Sequence, residues 1–218
     1  MANYLIHAVP SRTWYVNQYL IPSMVEQGID RANIVVYTDE KHEGNLRAFI
    51  RSAECLKNDT GGTWHMQDDV IISHDFAKVT NKFDEGIVCG FKSEYDGKTQ
   101  AGLVGVKQMW FSFPCIRIPN KLFKDCIQWI ESQMIGNPVY RIYWESGVND
   151  DWCFRQYIFQ YYRNTAINLN PNIVDHIDYL IGGTVNSNKR GRKIRSVLWQ
   201  YEYLVQELED RLNRSAYE

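Results

Sequence analysis

Three short apolar runs, separated by helical periodicity, fill the first 72 residues. Tyr4-Leu5-Ile6-His7-Ala8-Val9 stops at Pro10, Asn33-Ile34-Val35-Val36-Tyr37-Thr38-Asp39 follows Gly28, and the run from Thr63 to Ile72 follows Gly61-Gly62. Between them, Tyr15, Tyr19, Leu20 and Met24 recur at helical spacing behind Ser11. Leu46, Phe49, Ile50, Ala53 and Leu56 do the same between about residues 45 and 57. Strand-length apolar runs alternating with amphipathic helices give β-α-β-α-β, the signature of an open α/β sheet. The second run is so continuously apolar that a strand covered on both faces is expected.

In open α/β sheets ligands gather beyond the carboxyl ends of the strands. Polar residues stand at all three ends: Ser11-Arg12, Asp39, and Asp68-Asp69. Arg12 suits a phosphate and Asp39 can accept from ribose hydroxyls or a base edge. The adjacent aspartates repel each other and lose hydration inside an apolar run, so they require something cationic beside them, most simply a divalent ion. The alternative is a carboxylate pair that caps a turn. No G-x-G-x-x-G and no Walker lysine motif occurs, which argues against a Rossmann dehydrogenase and a P-loop NTPase.

Further along, Gly86–Phe91 and the segment from Met109 to Pro119 read as strands, and Leu122 to Met134 as an amphipathic helix. Trp144 precedes a second aspartate pair, Asp150-Asp151, at the mouth of another helix. The helix dipole stabilises a carboxylate there and leaves it ionised, as a general base must be. His176 lies between Asp175 and Asp178, either of which could orient its ring as partners of metal-bound histidines do.

Composition shifts at about residue 186. Lys189, Arg190, Arg192, Lys193 and Arg195 put five cations into seven residues. Such a run is a solvated linker, a clamp on pyrophosphate, or a track for a nucleic-acid backbone. Ile194, Val197, Leu198, Tyr201, Leu204, Val205, Leu208 and Leu212 then mark an amphipathic helix, packed on its own domain or forming a homodimer seam. The chain of 218 residues therefore divides into an α/β domain over 1–185 and a basic segment plus helix over 186–218.

A net charge of -2 gives no global attraction to nucleic acid or membrane. The odd, scattered cysteines (Cys55, Cys89, Cys115, Cys126, Cys153) argue against a disulfide framework and for a reducing compartment. With no signal-peptide pattern and no apolar stretch of spanning length, a cytoplasmic protein without a membrane partner is expected.

Taken in order, Val9-Pro10-Ser11-Arg12, Gln67-Asp68-Asp69-Val70, Asn149-Asp150-Asp151-Trp152 and Val174-Asp175-His176 resemble the motifs of GT-A fold nucleotide-sugar glycosyltransferases. The second segment stands at the family's DxD signature, with Gln67 where many members have Asp. The third resembles its xED motif, with Asp150 in place of Glu, and the fourth its C-terminal metal histidine. The chain also resembles small phage-type transferases, which would place it in the host cytosol. The resemblance implies a single GT-A-like, Rossmann-like domain with an open, mostly parallel sheet. It implies Mn²⁺ or Mg²⁺ held by Asp69 and His176, with Asp68 at the ribose or sugar. Arg12 and Asp39 would grip a nucleotide-sugar donor, foremost a UDP-sugar, with Lys189 and Arg190 closing over the phosphates. Asp151 would take the acceptor proton in a single inverting displacement.

For the acceptor, a hydroxymethylated pyrimidine in phage DNA fits a basic run beside aromatics such as Trp110 or Trp144 that could stack a flipped base. A cell-surface glycan precursor is the alternative. Two other classes fit the same residues: a metal-dependent phosphodiesterase or nuclease, and a non-catalytic nucleic-acid-binding module.

Overall fold

The computed structural model describes residues 2–56, 60–92, 102–105, 113–146, 150–162, 165–169, 171–182 and 199–215. The strands in chain order are β1 (Asn3–Ala8), β2 (Ile34–Thr38), β3 (Gly62–Gln67), β4 (Val70–Ile72), β5 (Ile87–Cys89), β6 (Gly102–Gly105), β7 (Cys115–Pro119), β8 (Thr165–Asn168) and β9 (Val174–His176). Seven of them form one sheet in the order β2-β1-β3-β7-β5-β8-β6. Strands β1, β2, β3, β5 and β8 point one way, and only β7 and β6 run against them. The α/β class and the mostly parallel sheet expected from the alternation of runs are both present. Strand β2 differs from expectation: it is the sheet's edge, with only Ile34 buried. Its continuous apolar content covers one flank of an edge rather than two faces of a central strand.

The run from Thr63 to Ile72 is not one strand. It breaks at Asp68-Asp69, and β4 leaves the main sheet to pair antiparallel with β9, Val70 opposite His176 and Ile72 opposite Val174. The turn is what two adjacent carboxylates impose, since a ladder position would turn one of them into each face of a buried sheet.

Helices cover both faces. Residues 10–26 pass from a 3-10 turn through one α turn and a π turn (Val16–Leu20) into the helix Ile21–Glu26. The Ile21 amide donates to the Val16 carbonyl, and Pro22 beside it has no amide to donate. This stretch packs Tyr15, Val16, Leu20 and Met24 against Tyr4, Ile6, Trp64 and Met66 in one core. The second core sets the helices Asn45–Ser52, Asn120–Gly136 and Asp150–Tyr157 on the other face around Phe49, Phe123, Ile130 and Phe154. Under that face His7 and His65 meet, Nε2 to Nδ1 at 3.1 Å, against the rings of Phe49 and Phe123. Burial lowers His7 to about 4 and holds His65 well below its ordinary value, so both rings are neutral at pH 7.

The C-terminal helix spans Glu202–Ser215, starting later than its sequence pattern suggests. Val205 and Leu208 are buried, and Leu208 joins the first core. Its apolar face is thus turned onto its own chain. Just before it, the Tyr201 hydroxyl donates to Asp75 at 3.1 Å. No helix among the described residues is long and apolar enough to cross a membrane.

Candidate active site

Strands β1 and β3 are parallel neighbours, so their carboxyl ends open at one edge of the sheet. There the chain leaves β1 through Val9 into the Pro10–Arg12 turn, and leaves β3 into Asp68-Asp69. The Val9 amide donates to Asp68 Oδ2 at 2.7 Å. Arg12 reaches back across the gap: its Nη2 lies 2.8 Å from Asp68 Oδ1, and its Nη1 pairs with Asp69 Oδ2. All three side chains are buried. The cation that the aspartate pair demanded is therefore a guanidinium, delivered by the turn after β1.

The fourth carboxylate oxygen of the pair faces elsewhere. Asp69 Oδ1 stands 3.3 Å from His176 Nε2, an ion-pair contact, yet it is buried and accepts no hydrogen bond. On the other side of the ring, Nδ1 lies 3.3 Å from Asp178 Oδ1. The main chain fixes this meeting, because the Ile177 amide donates to the Asp69 carbonyl at 2.8 Å and the β4–β9 ladder sets Val70 against His176. The Tyr15 hydroxyl donates to the Val70 carbonyl at 2.9 Å, tying the first helical stretch to the same clasp.

The charges follow from this packing. Burial, then Asp69, raises the Asp68 carboxyl to about 7 against the pull of Arg12. Burial alone would raise Asp69 as well, but His176 and Arg12 outweigh it and hold Asp69 well below the usual carboxylate range. Burial disfavours the imidazolium of His176, yet Asp69 and Asp178 prevail and raise it to about 10.

A buried carboxylate oxygen without a hydrogen bond, facing an imidazole nitrogen at 3.3 Å, is a pair of donors that a divalent ion could take. Asp178 on the far nitrogen is the partner that fixes the tautomer of a metal-bound histidine. Among the described residues no cluster of three or more His, Cys, Asp or Glu side chains could hold an ion. Asp68 is engaged by Arg12 and Val9 and adds no free oxygen.

The remaining sequence candidates divide. Asp39 is buried, and its carboxylate accepts the amides of Glu43 and Gly44 at 3.1 and 3.2 Å, holding the loop in which His42 adopts a φ of 52°. Asp150 and Asp151 occupy the first turn of the helix Asp150–Tyr157, half-buried, and the Trp152 amide donates to Asp151 Oδ1 at 2.7 Å. Burial and then Asp151 raise Asp150 to about 7; burial also raises Asp151. Lys189, Arg190 and the rest of the basic run lie outside the described residues, as do Trp110 and the side chain of Trp144. The sequence left Asp175 and Asp178 as alternatives for orienting the ring; Asp178 stands against it, and Asp175 instead accepts from the His176 amide at 2.9 Å. Sequence reasoning missed Arg12 as the partner of Asp68-Asp69, although the need for a cation there was legible.

No protein-family profile matches the chain, and no curated protein matches it in sequence. Among solved structures, the galactosyltransferase LgtC, solved with donor and acceptor sugar analogues, superposes with a TM-score of 0.50 at 12% identity over 95% of both chains. The glycosyltransferase GlyE of Streptococcus pneumoniae TIGR4 superposes with a TM-score of 0.50 at 7% identity, covering 97% of this chain and 64% of GlyE. Identities this low bear on architecture alone. In architecture, the chain has the GT-A-like fold of nucleotide-sugar glycosyltransferases.

Proposed function

We propose that the protein is a divalent-ion-dependent glycosyltransferase that moves a sugar from a nucleotide-sugar donor to an acceptor hydroxyl. The observation that carries the reading is the meeting of Asp69 Oδ1 and His176 Nε2 at the carboxyl edge of a GT-A-like sheet. Asp69 and His176 would hold Mn²⁺ or Mg²⁺, and Asp178 would orient the ring. A bound ion supplies Lewis-acid stabilisation of the charge on the leaving nucleoside diphosphate. Asp68, held by Arg12 and Val9, keeps its neighbour Asp69 in place.

Asp151 is the general base of an inverting displacement. Its position in a helix's first turn and its raised pKa suit a carboxylate that must take a proton from an acceptor hydroxyl. The acceptor reading, a hydroxymethylated pyrimidine in DNA, rests on the basic run 189–195. It predicts activity on DNA that falls steeply with salt, where a glycan acceptor predicts little slope.

A thermal-shift panel of nucleotide sugars, UDP-sugars first, with and without Mn²⁺ tests the reading. A donor that binds the folded chain raises its melting temperature, and does so most with Mn²⁺ present. No shift with any nucleotide sugar overturns it. Cleavage of DNA without donor would instead favour a nuclease.

A further inference from the structure

Among the polar atoms of the buried cluster at the sheet edge that make no hydrogen bond are a donor on Arg12 and an acceptor on Asp69. Arg12 Nε and Asp69 Oδ1 are both buried and make no hydrogen bond, although Arg12 Nη1 and Nη2 are fully engaged with the two aspartates. An isolated buried donor and an isolated buried acceptor each disfavour the folded state, so their pairing in one cluster calls for an explanation. They are complementary to a ligand that brings a cation for the carboxylate and an anionic oxygen for the guanidinium. A metal-bound diphosphate has both. Both atoms are covered as the cluster stands, so filling the site must open the contact between Arg12 and Asp69.

The placement of the guanidinium charge points the same way. Arg12 is paired at once with Asp68 and Asp69. A divalent ion approaching Asp69 meets a fixed positive charge on the same carboxylate. At such separations like charges repel strongly enough to weaken binding of the ion alone. Once the ion has taken Asp69, the guanidinium is freed from its partner and is the nearest group for phosphate oxygens, which it binds with its planar fork.

We propose that Arg12 is an exchangeable counter-cation: it occupies Asp69 until a divalent ion takes that carboxylate, and it then transfers to the diphosphate oxygens of the donor. Arg12 thereby makes tight metal binding conditional on the diphosphate, and diphosphate binding conditional on the metal. This inference rests on the metal-dependent reading above and adds to it an order and a residue.

The test measures metal and diphosphate separately on the full chain. Free Mn²⁺ is followed by electron paramagnetic resonance during titration with wild type, Arg12→Lys and Arg12→Gln. Retention of labelled inorganic pyrophosphate is followed by equilibrium dialysis at fixed Mn²⁺, so that chelation in free solution is equal in both chambers. Removing the competing charge should tighten Mn²⁺ binding alone by about tenfold or more in Arg12→Gln. Arg12→Lys, a more flexible point charge, should fall between Arg12→Gln and wild type. Retention of pyrophosphate should fall in the reverse order, and wild type should retain it only with Mn²⁺. If Arg12→Gln fails to fold by circular dichroism, the comparison of Arg12→Lys with wild type decides. Mn²⁺ affinity that is unchanged or weakened in the variants overturns the exchange and leaves Arg12 a fixed support of the aspartates. Wild type that binds no Mn²⁺ with or without pyrophosphate overturns the metal-dependent reading as well, which separates the two failures.

Discussion

Asp69 and His176 face each other at 3.3 Å, the first on the turn that ends β3 and the second on β9, with Asp178 on the far side of the imidazole. The line Asp178–His176–Asp69 is the arrangement in which an outer carboxylate raises the basicity of a metal-binding ring. Asp178→Asn should lower Mn²⁺ affinity about 10- to 100-fold while the fold persists. Asp69→Asn and His176→Ala should abolish the Mn²⁺-dependent rise in melting temperature altogether. Titration calorimetry with MnCl₂ in the presence of pyrophosphate checks the first statement and melting curves with a nucleotide sugar and Mn²⁺ the second; an unchanged affinity in His176→Ala would remove the ring from the site.

Asp151 predicts a different pattern. Asp151→Asn should reduce turnover by about 10²- to 10⁴-fold, the range of a lost general base, and leave Mn²⁺ binding as in wild type. Steady-state rates beside metal titrations on one preparation separate the roles. If Asp150→Asn carries the larger loss, the base is the first aspartate of the pair.

Arg12 also has a stability role. Losing one partner of a buried ion pair leaves an uncompensated charge, which costs about 3–5 kcal/mol. Arg12→Gln leaves Asp68 without a charged partner, while Asp69 keeps His176. Burial and Asp69 then raise Asp68 without the opposing pull of Arg12, so denaturant midpoints should fall in Arg12→Gln and recover in part as pH is lowered and Asp68 takes up a proton. A midpoint equal to wild type would mean that the guanidinium is dispensable to the fold.

The His7–His65 pair sets an acid limit. Both rings are neutral in the fold, with His7 lowered to about 4, whereas an unfolded histidine titrates near 6.5. Between those values the unfolded chain binds more protons, so stability rises with pH. The contribution is complete above about pH 6.5 and is lost as pH falls toward 4. Replacing both residues with phenylalanine should flatten that part of the stability profile. Urea unfolding from pH 7 to 4 on both proteins reads the difference, and parallel profiles would contradict the neutral pair.

Gly90 is a packing position. A Cβ there would stand 2.7 Å from Ile173 Cγ1 and 3.1 Å from Cys115 Sγ, both in buried side chains. The Gly90 amide bonds to Cys115 and its carbonyl to the Ile173 amide, so the backbone cannot easily withdraw. Gly90→Ala should cost about 1–3 kcal/mol. Because Ile173 leads directly into β9, Mn²⁺ binding should weaken with it. A variant as stable as wild type would show that the neighbours yield.

Much of the sheet was legible because its signals are local. The runs at Tyr4 and Ile34, the first half of the run at Thr63 and the periodicity around Phe49 and Ile130 each lie within a few residues, and they form strands and helices of the expected kind. Chemical types at the strand ends were legible too, since only polar groups stand there. Pairings over long separations were not. Nothing near Asp68 says that its cation is Arg12, because the contact depends on β1 lying parallel to β3 and on the angle of the Pro10–Arg12 turn. The break of the third run at Asp69 was hidden for a similar reason: Val70–Ile72 is as β-prone as what precedes it, and only β9 reveals that it serves a second sheet.

That second, two-stranded sheet makes the centre a late product of synthesis. Domains form from the N-terminus as the chain emerges, and contacts between distant segments close last. Strands β1 to β3 and the helices between them can assemble while residues 174–176 are still inside the ribosome, with Arg12 already able to neutralise the aspartates. The imidazole arrives only when the ninth strand docks, so a nascent or truncated chain ending before it would hold a formed sheet and an inert, self-neutralised acidic pair.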